Sequence, residues 1–125
     1  MLRQPRVLVV DDHHNAAESL GAALGILGCQ VRVAHSGNEA LTIATDFKPQ
    51  LVVLDIMMPG LDGVQTANLM RREPWAAMTT FVAHSALGFQ EIQQRVPQAD
   101  FAHYLRKPAS LAAFERIINM VAGAE

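Results

Sequence analysis

The chain has 125 residues, half of them hydrophobic and 18% charged, with a formal net charge of −2. That length and apolar content describe one domain, residues 1–125, that buries a core without a metal or disulfide staple, and they exclude a disordered chain. The balanced charge, with no long run of lysine or arginine, leaves no electrostatic footprint for nucleic acid. The single cysteine, Cys29, excludes an intramolecular disulfide framework and reads as a small buried hydrophobe in a reducing, cytoplasmic setting. The apolar run at residues 7–10 is far too short for a signal sequence or a membrane span.

In chain order, residues 6–10 form a short apolar run that ends in Asp11-Asp12, the mark of a strand with carboxylates at its carboxyl end. A helix is expected over residues 15–27, capped by Asn15 with Glu18 at the capping-box position, and ended by Gly28. Residues 29–34 alternate enough to be a second strand. Ser36-Gly-Asn-Glu39 is another capping-box pattern and opens a helix carrying Ala40, Leu41, Ala44 and Phe47, broken by Lys48-Pro49. Leu51-Val-Val-Leu then runs straight into Asp55, as a strand buried on both faces would.

Asp62-Gly63 reads as turn chemistry before a helix over residues 64–72 that Pro74 stops. Trp75 is expected to pack over the loop before a fourth strand at residues 79–84, which delivers Ser85. Residues 87–96 make a weaker helix with Gly88 inside it. Residues 102–105 form the fifth strand, leading to Arg106-Lys107-Pro108, and Ser110 can cap a last helix with Leu111, Phe114, Ile117, Ile118 and Val121 on one face.

Strands alternating with helices predict an α/β fold: a doubly wound parallel five-stranded sheet, flavodoxin-like (βα)5, in the order 2-1-3-4-5. In that order the carboxyl ends of strands one and three flank a crevice. Asp11, Asp12 and Asp55 share it, and Ser85 and Lys107 arrive from strands four and five. Crowded carboxylates repel unless a cation is bound, and oxygen ligands with open positions suit Mg²⁺. The chemistry that fits is phosphoryl transfer onto the Asp55 carboxylate, with the cation and Lys107 neutralising charge on the moving group and Ser85 bonding one of its oxygens.

Four motifs, Leu8-Val-Val-Asp11-Asp12, Asp55-Ile-Met-Met-Pro59-Gly-Leu-Asp62-Gly63, Ala83-His-Ser85-Ala86 and Tyr104-Leu-Arg-Lys107-Pro108, occur here in order. With them the chain resembles the receiver domain of two-component response regulators, chemotaxis-regulator-like phosphoacceptors, from Val7 to about Val121. The resemblance implies that Asp55 is phosphorylated by a histidine kinase or a histidine phosphotransfer protein. It implies Mg²⁺ held by Asp12, Asp55 and the Met57 backbone carbonyl, with Asp11 acting through a metal-bound water. Ser85 takes the switch hydroxyl position and Tyr104 the coupled aromatic position, altering a protein-binding surface of the fourth helix, fifth strand and fifth helix. Pro59, Gly60 and Gly63 shape the loop, and the Lys107-Pro108 peptide is expected to be cis.

On this reading the protein is a signalling domain rather than an enzyme in its own right. The chain ends near Glu125, so its output is expected to be contact with a downstream protein, without direct DNA or membrane binding. A receiver serving as relay intermediate or phosphate sink of a hybrid histidine kinase is the alternative. A flavodoxin-like electron carrier shares the topology, but Asp11-Asp12-His13-His14 is hostile to a phosphate without a metal. An aspartyl phosphatase would want an acid where Met57 stands. His13 and His14 read as solvated loop residues, because imidazole does not suit Mg²⁺. His84 and His103 should point away from the crevice, and Tyr104 taken alone is a core tyrosine with its hydroxyl at the surface.

Overall fold

The computed structural model describes residues 4–123. Strands β1 (Arg6–Val10), β2 (Gln30–Ala34), β3 (Leu51–Leu54), β4 (Thr80–Ser85) and β5 (His103–Arg106) alternate with helices α1 (His14–Ile26), α2 (Gly37–Phe47), α3 (Gly63–Arg71), α4 (Phe89–Arg95) and α5 (Leu111–Gly123). The strands pair in parallel in the order β2-β1-β3-β4-β5, as the sequence predicts. Order reverses between β1 and β3, and a crevice opens there.

The pleat sorts side chains into two apolar layers. Leu8, Val10, Val52, Leu54, Phe81 and Ala83 pack with residues of α2, α3 and α4. Val7, Val9, Leu51, Val53 and Val82 pack with Ala17 and Leu24 of α1 and with Phe114, Ile117, Ile118 and Val121 of α5. Cys29 is buried in this second layer, and burial pushes its thiol up. β3 is buried along its whole length because both of its faces are covered by helices.

Local chemistry departs from expectation at several helix ends. Asn15 does not cap α1; the N-cap is His13 and no side chain serves it. Asp11 Oδ1 accepts the His13 N–H at 2.9 Å, so the acidic pair itself fixes this turn. Glu18 makes no capping box and instead meets His35 Nε2 at 3.1 Å. At α2, Ser36 Oγ accepts from the Glu39 N–H, but the Glu39 carboxylate takes the His35 N–H rather than closing the box. Asp62, read as a turn residue, caps α3: its carboxylate accepts the Gln65 N–H at 2.8 Å, and Gln65 Oε1 accepts the Asp62 N–H at 3.0 Å.

Trp75 sits in a short 3₁₀ helix, Pro74–Met78, and packs against the first layer ahead of β4. Gly88 stands at the N-cap of α4, not inside it. Ser110 caps α5 as expected, its Oγ accepting from the Ala113 N–H.

Candidate functional site

The register of the sheet builds the site. Val10 lies beside Leu54 in the β1–β3 ladder, so the next residues, Asp11 and Asp55, emerge side by side. Backbone bonds carry the ladder one step further: Asp55 N–H donates to Val10 O at 2.9 Å and Asp11 N–H to Ala34 O at 3.1 Å. Ser85 pairs with Arg106 at the end of the β4–β5 ladder, and Lys107 N–H donates to Ser85 O at 2.7 Å. By alternation Asp11, Asp55 and Lys107 keep step with Val9, Val53 and Leu105 on the α1/α5 side. Ser85 keeps step with Ala83 on the other.

Lys107 Nζ bridges the two buried acids, 2.6 Å from Asp11 Oδ2 and 3.3 Å from Asp55 Oδ2. Asp55 Oδ1 also accepts the Met57 N–H at 3.3 Å. Ser85 is buried, and its Oγ accepts the Leu87 N–H at 3.1 Å. Lys107-Pro108 is cis. His13, Asp55, Met57, Ser85, Leu87 and Lys107 line an open hollow of about 310 Å³. A larger hollow of about 370 Å³, bounded by Arg6, Lys48, Trp75 and Thr80, lies at the amino ends of the strands and has no carboxylate among its described lining. Of these two hollows, the one at the carboxyl ends holds both the carboxylates and the Lys107 ammonium.

The two acids titrate in opposite directions. Burial alone would raise Asp11, but the Lys107 ammonium and the His13 N–H outweigh it and hold this carboxyl below its usual range. Asp55 is raised: burial dominates, the Asp11 charge adds to it, and Lys107 offsets only part. Burial opposes the Lys107 charge, yet Asp11 and Asp55 together hold the ammonium above its ordinary value. His84 lies edge-on to the Phe114 ring at 5.1 Å, on the α1/α5 side that also carries Lys107, rather than on the opposite side, and burial with the nearby Lys107 charge brings it down to about 4.

The pocket fits a divalent cation by its chemistry. One ligand atom from each of Asp11, Asp12, His13 and Asp55 lies within 4.8 Å of the others. Asp12 Oδ1 is buried without a hydrogen-bond partner among the described residues. An unpaired buried carboxylate oxygen beside two further acids is costly unless a cation satisfies it.

Two expectations needed adjustment. The Tyr104 hydroxyl is not free at the surface: it donates to Ala99 O and accepts the Phe101 N–H, both at 3.1 Å. His13 belongs to the acid cluster rather than to solvent alone, and its position directly after Asp12 was the signal.

The family model of the response regulator receiver domain matches residues 7–120, and the chain belongs to that family. The transcriptional regulatory protein PrrA of Mycobacterium tuberculosis is 40% identical over 111 residues, covering 86% of this chain and 46% of that protein. The chain thus spans about half the length of this curated relative. A CheY-like receiver domain from Methylobacillus flagellatus superposes with a TM-score of 0.80 at 28% identity, covering 95% of this chain and 99% of that one. The response regulator TrrA of Thermotoga maritima, solved in complex with Mg²⁺ and BeF, superposes with a TM-score of 0.80 at 25% identity, covering 94% and 99%.

Proposed function

We propose that Asp55 accepts a phosphoryl group from a histidine kinase or histidine phosphotransfer protein, and that the change is read by a downstream protein. The observation that carries this is Lys107 Nζ poised between Asp11 and Asp55 at the strand ends. An Asp55 oxygen attacks phosphorus, the bond from phosphorus to the donor's leaving atom breaks, and the leaving group departs with that electron pair. Asp12, Asp55 and the Met57 carbonyl would hold Mg²⁺, with Asp11 acting through a metal-bound water. The ion, when bound, neutralises charge on the phosphoryl oxygens.

Lys107 is already positioned to follow those oxygens, and the Ser85 hydroxyl can leave the Leu87 N–H to donate to one of them. Exposed Phe89, Leu111 and Met120 on α4 and α5 support an output surface of α4, β5 and α5. We assign no DNA contact to these residues, whose chain carries a net charge of −2. PrrA, named a transcriptional regulatory protein, extends over about twice the matched length, and its remaining part is outside this assignment.

Treatment with a small acyl phosphate and Mg²⁺, read by intact mass, tests the proposal. The wild type should gain one phosphoryl group and Asp55→Ala none. No gain on the wild type, or an equal gain on the variant, overturns it.

A further inference from the structure

We propose that His13 determines which divalent cation the pocket takes, adding an imidazole nitrogen to the oxygen ligands and turning preference from Mg²⁺ toward borderline transition ions such as Zn²⁺ and Co²⁺. This rests on the reading of the pocket as a cation site. Its own basis is the placement of one ring nitrogen. His13 Nδ1 lies 3.2 Å from Asp11 Oδ1 and 3.6 Å from Asp12 Oδ1. Ligand atoms bound at about 2.1 Å to one ion stand about 3.0 Å apart at octahedral right angles and about 3.4 Å apart in a tetrahedron. The nitrogen thus stands within a few tenths of an ångström of a shared-shell distance from the buried Asp12 Oδ1, which has no hydrogen bond to give up, while Asp11 Oδ1, within hydrogen-bond reach of the same nitrogen, would act through a water.

The backbone holds this arrangement. Asp11 Oδ1 accepts the His13 N–H, which fixes the turn and aims the first ring nitrogen back over the acids. The His13 side chain is 73% exposed, so its ring can shift a few tenths of an ångström without disturbing packing. Imidazole favours Zn²⁺, Co²⁺, Ni²⁺ and Cu²⁺, whereas Mg²⁺ keeps oxygen and water. The neighbouring histidines are committed elsewhere. His14 stacks on His35 at 3.8 Å between ring centroids, 12° from parallel, and the His35 nitrogens face Glu18 Oε2 and the Asp11 carbonyl.

Calorimetric titration of the full chain with Mg²⁺, Zn²⁺ and Co²⁺, together with the visible spectrum of the Co²⁺ form, tests this in wild type, His13→Ala, His14→Ala and Asp12→Asn. Losing an outer-shell partner alone costs a metal site about 10- to 100-fold in affinity. His13→Ala should therefore lose at least about tenfold for Zn²⁺ and Co²⁺, change Mg²⁺ affinity less than about twofold, and alter the Co²⁺ ligand-field bands. His14→Ala should match the wild type. Equal Zn²⁺ affinity and an identical Co²⁺ spectrum in His13→Ala would overturn the assignment while leaving the Mg²⁺ site standing, as would an equal loss in His14→Ala. Absence of binding of any of the three ions to the wild type, or an undiminished Mg²⁺ affinity in Asp12→Asn, overturns the underlying cation site instead.

Discussion

Replacing Lys107 with methionine keeps an apolar stem of similar length and removes the charge. The ammonium it deletes sits 2.6 Å from Asp11 Oδ2 and 3.3 Å from Asp55 Oδ2, between carboxylates of residues only 4% and 5% exposed. At an effective dielectric of about 20 each contact carries a gross attraction of roughly 5 to 6 kcal/mol, most of which offsets the cost of burying the charges. The variant retains two adjacent buried acids with no cation, a situation that generally costs about 3–5 kcal/mol. Because one of these acids can take up a proton, the loss at pH 7 should be smaller, about 2–3 kcal/mol.

The pH dependence separates this account from a packing effect. Without Lys107 burial and mutual repulsion raise the carboxyls. A raised carboxyl contributes stability at low pH that disappears as pH climbs through its folded value, so the variant gains ground as pH falls from 7 to 5. In the wild type Asp11 is held below its ordinary 3.8 and its contribution is lost only as pH falls below that value, while Asp55, raised but partly offset by Lys107, gains less toward low pH than the unrelieved pair of the variant. Urea unfolding at pH 7 and pH 5 without divalent cations should show the gap narrowing at pH 5. A gap under about 0.5 kcal/mol at pH 7, or one that widens toward pH 5, refutes Lys107 as the counter-charge of the pair.

Three further substitutions probe how the site is held. Asp62→Ala removes the α3 capping box and should cost about 1 kcal/mol by urea unfolding, with Asp62→Asn restoring most of it. Gly63→Ala places a Cβ against the Asp55 carbonyl oxygen and 2.9 Å from Ile56 Cα, both backbone atoms that cannot move aside, so a loss of roughly 3 kcal/mol is expected in thermal melts. Tyr104→Phe keeps the ring 4.8 Å from Phe89 but strands the Phe101 N–H, which should cost about 1–3 kcal/mol and speed hydrogen exchange at that amide.

Sheet order and the placement of Asp11, Asp55, Ser85 and Lys107 were legible because hydrophobic periodicity and right-handed crossovers leave few topologies. In a parallel sheet every strand-end residue is then delivered to one crevice. Helix ends were less legible because one short motif has several competing partners. Ser36-Gly-Asn-Glu39 reads as a box, but His35 offers its own N–H to the same carboxylate. Asp62-Gly63 has the composition of a turn, and only the Gln65 backbone N–H, brought round by the first turn of α3 to donate to the Asp62 carboxylate, makes it a cap. Gly63 was expected to shape the loop; that it is required by a backbone passing directly over it is a tertiary fact. His13 was visible in sequence but weighed against Mg²⁺ alone, and the position of its ring nitrogen depends on the Asp11 turn.

The two apolar layers bear on how a signal would leave the crevice. Lys107 and Asp55 belong to the α1/α5 side, whereas Tyr104 packs with the layer beneath α2, α3 and α4, in step with Ala83 across the β4–β5 ladder. Ser85 follows Ala83 on that side, and its hydroxyl is engaged by Leu87 N–H. The Tyr104 hydroxyl is engaged by Ala99 O, Phe101 N–H and Gln93 Nε2. Moving Ser85 toward Asp55 gives up one hydrogen bond, and swinging Tyr104 gives up those of the 99–101 segment. Each buried group left unpaired costs about 1–3 kcal/mol, so the arrangement described is the favoured one before any group is added. A ligand shifts such an equilibrium only by its differential affinity for the two states. A phosphoryl group on Asp55 can supply that difference because its oxygens would meet Lys107 from one layer and Ser85 from the other. Those residues are already tied through the Lys107 N–H to Ser85 carbonyl bond, so on the proposed function a single charge entering between them would act on both faces of the sheet at once.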